Sequence, residues 1–340
     1  MYSESDLDAA VTAGALSPAA ALALRAHVAA QRNAPAVDEE HFRLLTGFND
    51  IFVAVALALL LAAIAQIGAA ITMAMGGVGV AVAAWLLAEY FTRRRRMALP
   101  SILLLGAFVG GVVAAPIGAL ATLEPNFGER INALILSGVG LLGLAAAWAH
   151  WRRFMVPITV AAGALALTGA VVGLAFAIFP GIDEAALPLV LAAGLAIFAL
   201  AMRWDIRDRA RTTRASDVAF WLHLAAAPLI AHPIFHLLGV FEGPVGPAIA
   251  ALVIALYLGF AIVALAVDRR ALLVSSLAYV LFALYELFRS AGAVELGAAF
   301  TGLVIGSALL TLSAFWQPMR RRVVSLLGEG MATRLPPATV

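Results

Sequence analysis

Apolar residues run in long blocks between residues 48 and 316, separated by short polar turns. A helix that crosses a bilayer needs about 20 mostly apolar residues. Ten blocks approach or exceed that length, near 48–66, 69–91, 98–121, 131–150, 155–179, 186–202, 216–240, 246–267, 271–290 and 296–316. Only a short turn around Gln66-Ile67-Gly68 divides the first two, and the sixth is short. The pattern predicts an all-α fold, a polytopic transmembrane helical bundle of about ten spans.

The turns differ in sign. Arg93–Arg96 follow the second block, Arg152 and Arg153 the fourth, and Arg203, Arg207, Arg209, Arg211 and Arg214 the sixth. Arg269 and Arg270 follow the eighth, and Arg320–Arg322 the tenth. The opposite turns hold only Arg130 and Arg289, together with Glu124, Glu129, Asp183, Glu184, Glu242 and Glu295. Positive-inside bias therefore predicts that the arginine side, and both termini, are cytoplasmic. One missed helix would invert every later turn, so the alternation supports the count.

Three basic turns look related. R-R-R-R-M-A-L-P-S-I, W-R-R-F-M-V-P-I-T-V and D-R-R-A-L-L-V-S-S-L each launch a helix, and their spacing suggests five helical hairpins of similar length. The openings N-D-I-F and S-D-V-A-F of the first and seventh spans are also alike. Either the hairpins are true repeats, as in many transporters, or any such turn in an Arg-rich chain looks this way. Small residues recur at four-residue spacing in Gly106/Gly110, Gly169/Gly173 and Gly302/Gly306. Such spacing lets helix backbones approach closely, which predicts packing inside the bundle, with a dimer interface as the alternative.

Residues 1–45 and 318–340 flank the transmembrane domain of 46–317. Ser17 and Pro18 start a helix, the serine capping free amides and the proline sitting where its missing N–H costs nothing. Leu22, Leu24 and Val28 give that helix a modest apolar face. The segment is too polar to span. It reads as a small cytoplasmic docking element for a protein partner, or else as a solvated tail, and residues 33–40 read as a linker. After Trp316, Q-P-M-R-R-R-V-V-S-L-L-G suits a short interfacial helix on an anionic leaflet. The residues around Pro336 and Pro337 are expected to be loose.

Composition narrows the class. Of 340 residues, 64% are hydrophobic and only 12% charged, about half the share of a soluble domain. Mean hydropathy is +1.00. The lipid bilayer is thus the first partner. Without cysteine there is no disulfide, thiolate metal site or cysteine nucleophile. All 22 basic residues are arginine, which suggests GC-rich coding and a bacterial inner membrane. A net charge of +2, scattered at span ends, gives no reason to expect nucleic acid. The acidic start M-Y-S-E-S-D-L-D predicts no cleavable signal peptide.

The stretch G-A-L-S-P-A-A-A-L-A-L-R-A-H-V, Gly14–Val28, precedes this run of hydrophobic hairpins. It resembles the start of bacterial predicted membrane proteins grouped under a domain of unknown function, where a G-x-[I/L]-S-P-E-Q-A type helix leads into many spans. Here Ala19-Ala20 replace the usual polar pair. The resemblance covers the N-terminal segment and the general layout, and it implies no activity and no site residues.

Charge at membrane depth costs about 2.5–3.5 kcal/mol on insertion scales, so each such residue needs a reason. Asp50 and Asp217 open helices, where the dipole favours a negative charge. Glu89 can pair with Arg93 one turn on. His150, at a span end, is expected at the interface. The seventh span is harder to explain. It holds Asp217, His223, His232 and His236, with Pro228 and Pro233 to break the helix. The break could line a cavity, or simply bend the helix around its neighbours. At 1.5 Å per residue His232 lies ~24 Å along this span, and Glu286 lies ~22 Å along the ninth. The equal depths predict a polar pathway of His232, His236, Glu286 and Arg289, with His223, Tyr279 and Asp217 as secondary candidates. Histidine beside an acid suits proton exchange. Alternatively, Glu286 and Arg289 form a static pair that ties the two spans together. His-x-x-x-His spacing could ligate zinc, but Pro233 distorts it and further ligands are lacking at that depth, so no metal or cofactor is expected.

These features rank a transporter or permease for a small solute or ion first, with proton coupling as an option. A non-catalytic scaffold, sensor or accessory protein ranks second. An intramembrane enzyme ranks last, because no nucleophile, acidic dyad or metal motif is present.

Overall fold

A computed structural model describes residues 4–31, 48–123, 125–179, 181–182, 185–209, 211, 213–240, 246–290, 296–328, 330 and 335–336. The expected linker at 33–40, the acids Glu124, Asp183, Glu184, Glu242 and Glu295, and Pro337 lie outside these, as do the side chains of Val28 and Ser290. The chain divides into a unit ending at residue 42 and a larger one beginning at residue 43.

The smaller unit contains α1 (Glu4–Thr12) and α2 (Pro18–Gln31). Ser17 caps α2, its Oγ accepting from the Ala20 amide at 3.1 Å. Gly14, at φ +71°, turns the chain between the helices. Arg25 of α2 donates to Asp8 of α1 at 2.9 Å. Ala21 is buried, whereas Leu22 and Leu24 are exposed, so the expected apolar face points outward within this unit.

The larger unit is built from α3 (Phe48–Ile71), α4 (Met73–Ala88), α5 (Ala98–Leu123), α6 (Glu129–Phe154) and α7 (Ile158–Ile178). It continues with α8 (Ala186–Arg207), α9 (Arg214–Leu237), α10 (Pro247–Val267), α11 (Ala271–Ser290) and α12 (Gly297–Ala314), and closes with α13 (Trp316–Leu326). Helix α4 runs on into a π-helical turn, Glu89–Arg94. Among the described residues ten helices, α3 to α12, are long and apolar enough to cross a bilayer, and there is no strand. Large apolar side chains such as Leu59, Ile67 and Leu310 point outward, a surface suited to lipid rather than water. The chain is a multi-pass helical membrane protein.

The ten expected spans all form, with two boundary corrections. Helix α3 runs past Gln66–Gly68 to Ile71, and the turn is Thr72 alone, whose Oγ1 accepts from the Met75 amide at 3.2 Å. The turn is this tight because Gly68 faces Gly76, and a Cβ on Gly68 would lie 2.7 Å from the opposite backbone. The sixth span is not short. Helix α8 continues to Arg207, taking Arg203 and Asp205 into the helix, because the Asp205 charge is neutralised inside the bundle.

Of the five most closely packed pairs, α4 with α5, α6 with α7, α8 with α9 and α10 with α11 are joined at an arginine-bearing end, and the fifth, α3 with α4, is joined by Thr72. Each of the arginine-bearing turns also holds, among the described residues, a non-glycine residue at positive φ: Arg96, Met155 and Arg211 at +53°, and Asp268 at +56°. An L-residue there costs about 1–2 kcal/mol. The turns therefore share a strained geometry as well as their arginines.

The glycine expectation is corrected. Around Gly106, Gly110, Gly169, Gly302 and Gly306 nothing lies within 4 Å of the point where a Cβ would stand, so these glycines do not seat a neighbouring helix. Of the six, only Gly173 packs tightly, against Ser137. The close crossings use other glycines: Gly77 against Ala115, Gly111 against Ala81, and Gly140 against Ala170. Four-residue spacing marks a helix face, and it does not say which face meets a neighbour.

Helix α9 is the centre of its half of the bundle. In its apolar window 61% of residues are buried, against at most 39% in any other span. Ala225, Ala226, Ala227 and Ala231 let α7, α8 and α11 approach it. Pro228 and Pro233 lie inside α9, which continues through both as one helix. At the carboxyl end, Arg320 of α13 is fully buried while Arg321 and Arg322 are exposed, and Leu335 and Pro336 are buried. Leu335 packs with Val267 and Val324.

Candidate functional site

Asp205, near the end of α8, is the hub of a buried polar network that the hydropathy pattern does not reveal. Its Oδ1 accepts from Arg269 Nη2 at 2.6 Å, and its Oδ2 lies 2.9 Å from His223 Nε2. An ionised carboxylate only accepts, so the His223 Nε2 carries the hydrogen. Arg269 Nη2 also donates to the Ser216 carbonyl at 3.1 Å, with Ser216 Oγ at 3.4 Å. Asp205, His223 and Arg269 are each no more than 3% exposed. The edge of the His223 ring meets Phe198, 5.0 Å between centroids. The network thus joins α8, α9 and the turn between α10 and α11.

A second acid continues it. Asp268, next to Arg269 in the chain, accepts from Arg211 Nη1 at 2.9 Å and from Trp316 Nε1 at 2.8 Å. Arg211 Nη2 donates further to the Asp268 carbonyl at 3.1 Å. Arg320 Nε lies 3.4 Å from the Asp268 carboxylate, while Arg320 Nη2 donates to the Pro336 carbonyl at 2.6 Å. Arg209 holds the Leu335 carbonyl at 3.0 Å. Arg270 lies over the Trp316 ring at 4.7 Å. Asp208 accepts from the Thr213 amide and hydroxyl at 2.9 and 2.6 Å, shaping the turn into α9. Asp205 and Asp268, with Arg211, Arg269 and Arg320, therefore tie the ends of α8 to α11 to α13 and the chain's last described residues.

His223, a secondary candidate, belongs to this network. Asp217, another, sits half-buried in the first turn of α9 within electrostatic reach of Arg269 and Arg214. The four pathway candidates divide into two groups. His232 Nδ1 lies 3.0 Å from the Tyr279 hydroxyl, and the His232 and His236 rings are 6.0 Å apart. Tyr279 stacks on Phe235 at 4.5 Å. Glu286 instead pairs with Arg289 three residues on, at 3.4 Å. His232 thus meets α11 seven residues before Glu286, about 10 Å away along the helix. Equal counting from the helix starts holds only for straight, parallel helices, and α9 carries two prolines in this half.

Two other expectations concern the first half of the bundle. Glu89 pairs with Arg93 at 3.4 Å as predicted, but its main partner is Arg153 of α6, with Nε–Oε1 and Nη2–Oε2 distances of 2.6 and 2.9 Å. His150 is not at an exposed interface. It is fully buried among Phe108, Phe154 and Trp85, with Nδ1 3.2 Å from Thr159 Oγ1. No three His, Asp or Glu side chains among the described residues come together as a metal ion would need.

A signal for the missed hub was present. Asp205, Asp208 and Asp268 are acids inside turns otherwise dominated by arginine. Such an acid is positioned to draw nearby arginines inward. Chemically, the arrangement can hold a proton between His223 and Asp205 and exchange Arg269 between carboxylate and backbone acceptors. No protein family, curated protein or solved structure matches the chain.

Proposed function

We propose that the protein carries a small solute or ion across a bacterial inner membrane, and that His223 and Asp205 take up and release an accompanying proton. One observation supports this reading: three ionisable side chains are enclosed around α9, the most buried span. Ionisable groups inside membrane bundles are costly and mark pathways or proton relays. Histidine changes charge near neutral pH. A proton on His223 places a second cation beside Asp205 and competes with Arg269 for it. Arg269 sits on the turn between α10 and α11, so its release would free two helix ends. Ser216, whose carbonyl accepts from Arg269, and Arg211, which pairs with the adjacent Asp268, border this contact. The arginine excess supports a cytoplasmic placement of this end and of both termini. His232 and His236 begin nine residues further along α9, about 14 Å away, and supply a second polar station.

Proteoliposomes loaded with a pH-sensitive dye test the proposal. Solute panels applied to them should produce a solute-dependent proton flux that Asp205→Asn abolishes. Equal flux in the two proteins would overturn it.

A second reading has its own support. The α1–α2 unit exposes Leu22 and Leu24, a surface suited to a protein partner. On that reading the protein is an accessory or scaffold, and deleting residues 1–42 removes its partner while leaving the membrane unit folded.

A further inference from the structure

The end of α4 carries a feature that the transport reading does not use. An open depression of about 350 Å³ is lined by Leu86, Glu89, Tyr90, Arg93 and Arg94. Leu86 on α4 and Tyr90 and Arg94 on the π-helical turn all face this depression. Leu86 is 64% exposed and Tyr90 42% exposed. Along the chain from Leu86 to Arg94 the chemistry changes from aliphatic, to aromatic hydroxyl, to guanidinium. That is the order of acyl chain, interface and phosphate in a phospholipid leaflet.

The charges are suitably arranged. Glu89, the acid of the lining, is occupied by the two-pronged bond from Arg153 and by Arg93. Arg95 is turned onto Tyr90, its Nε donating to the hydroxyl at 3.1 Å. Arg94 is exposed and has no hydrogen-bond or ion-pair partner among the described residues. Arg94 lies in the π-helical turn, five residues after Glu89, and lines the depression. An exposed guanidinium next to a satisfied acid leaves a local excess of positive charge at the polar end of this span. Arginine suits a phosphate because its fork of donors matches the oxygens.

We propose that this depression is a binding site for an anionic phospholipid, with the phosphate on Arg94 and Arg93, the glycerol region beside Tyr90, and an acyl chain along Leu86. The site is independent of the Asp205 network and of the transport reading.

Native mass spectrometry of the full chain in an uncharged detergent, titrated with phosphatidylglycerol, measures it. Wild type should bind one lipid saturably, in preference to phosphatidylcholine. Arg94→Ala should weaken that binding about tenfold, the loss expected for one charge-assisted phosphate contact. Because Arg94 has no partner among the described residues, the variant is expected to fold normally. Arg94→Lys should retain part of the affinity. Arg322→Ala, which removes an exposed arginine on α13, should bind as wild type does. Equal weakening by Arg322→Ala would reduce the effect to general charge and overturn the site. Unchanged binding in Arg94→Ala would also overturn it. Displacement of the lipid by millimolar inorganic phosphate would show a free-anion site and contradict the lipid assignment.

Discussion

Replacing Arg269 with glutamine tests whether the buried network holds the bundle together. The change removes the 2.6 Å bond to Asp205 and the 3.1 Å bond to the Ser216 carbonyl, while the 3.4 Å contacts are too long to add much. A hydrogen bond involving a charged group is worth about 1.5–3 kcal/mol. The larger effect is on Asp205, which is left 2% exposed with His223 as its remaining side-chain partner. Removing one member of a buried ion pair costs about 3–5 kcal/mol. Because His223 still donates to Asp205, the lower half of that range is expected. Reversible unfolding in mixed micelles gives the value directly. Asp205→Asn and the double variant complete a cycle, in which the two losses should overlap by about 1–3 kcal/mol. A loss below about 0.5 kcal/mol, the scale of ordinary surface changes, would refute the reasoning. So would strictly additive losses.

Other outcomes follow from particular contacts. Gly77→Ala should cost about 1–3 kcal/mol, since its methyl would lie 2.6 Å from the Ala115 backbone, whereas Gly106→Ala should be neutral or slightly stabilising because its surroundings are open. The same unfolding assay separates the two. Ending the chain at Gly330 removes the carbonyls that Arg209 and Arg320 hold, and should lower stability by about 1–3 kcal/mol for the buried Arg320 alone. Protease sensitivity at the α12–α13 junction should rise with it. Glu89→Gln should cost no more than about 1 kcal/mol, because the pair it breaks is about a third exposed on both sides.

The spans were legible because the hydrocarbon thickness imposes a length that ten blocks satisfy. The alternating arginines were legible for the same reason, as markers of the turns. Their surroundings were not. Arg211, Arg269 and Arg320 counted as turn charges in the sequence, yet all three are buried in ion pairs. A charge count records sign, and it does not record exposure. Asp205 was hidden by the boundary drawn at residue 202, because Arg203, Asp205 and Arg207 lower the local hydropathy just where the helix continues. Its pairing partner Arg269 is 64 residues away, beyond the reach of any local pattern. The histidines of α9 stand out in the sequence, but their partners depend on helix inclination. His223 found an acid on α8 and His232 found Tyr279, where counting along the helices had pointed to Glu286.

The central claim, that His223 and Asp205 exchange protons as part of transport, is tested most directly by pH-step currents on a solid-supported membrane. No substrate needs to be known. Wild-type proteoliposomes should give a transient charge displacement on each pH step, and His223→Asn and Asp205→Asn proteins that reconstitute in equal amount should lose it. Equal currents in the wild type and in both variants, or none in the wild type, would contradict the account.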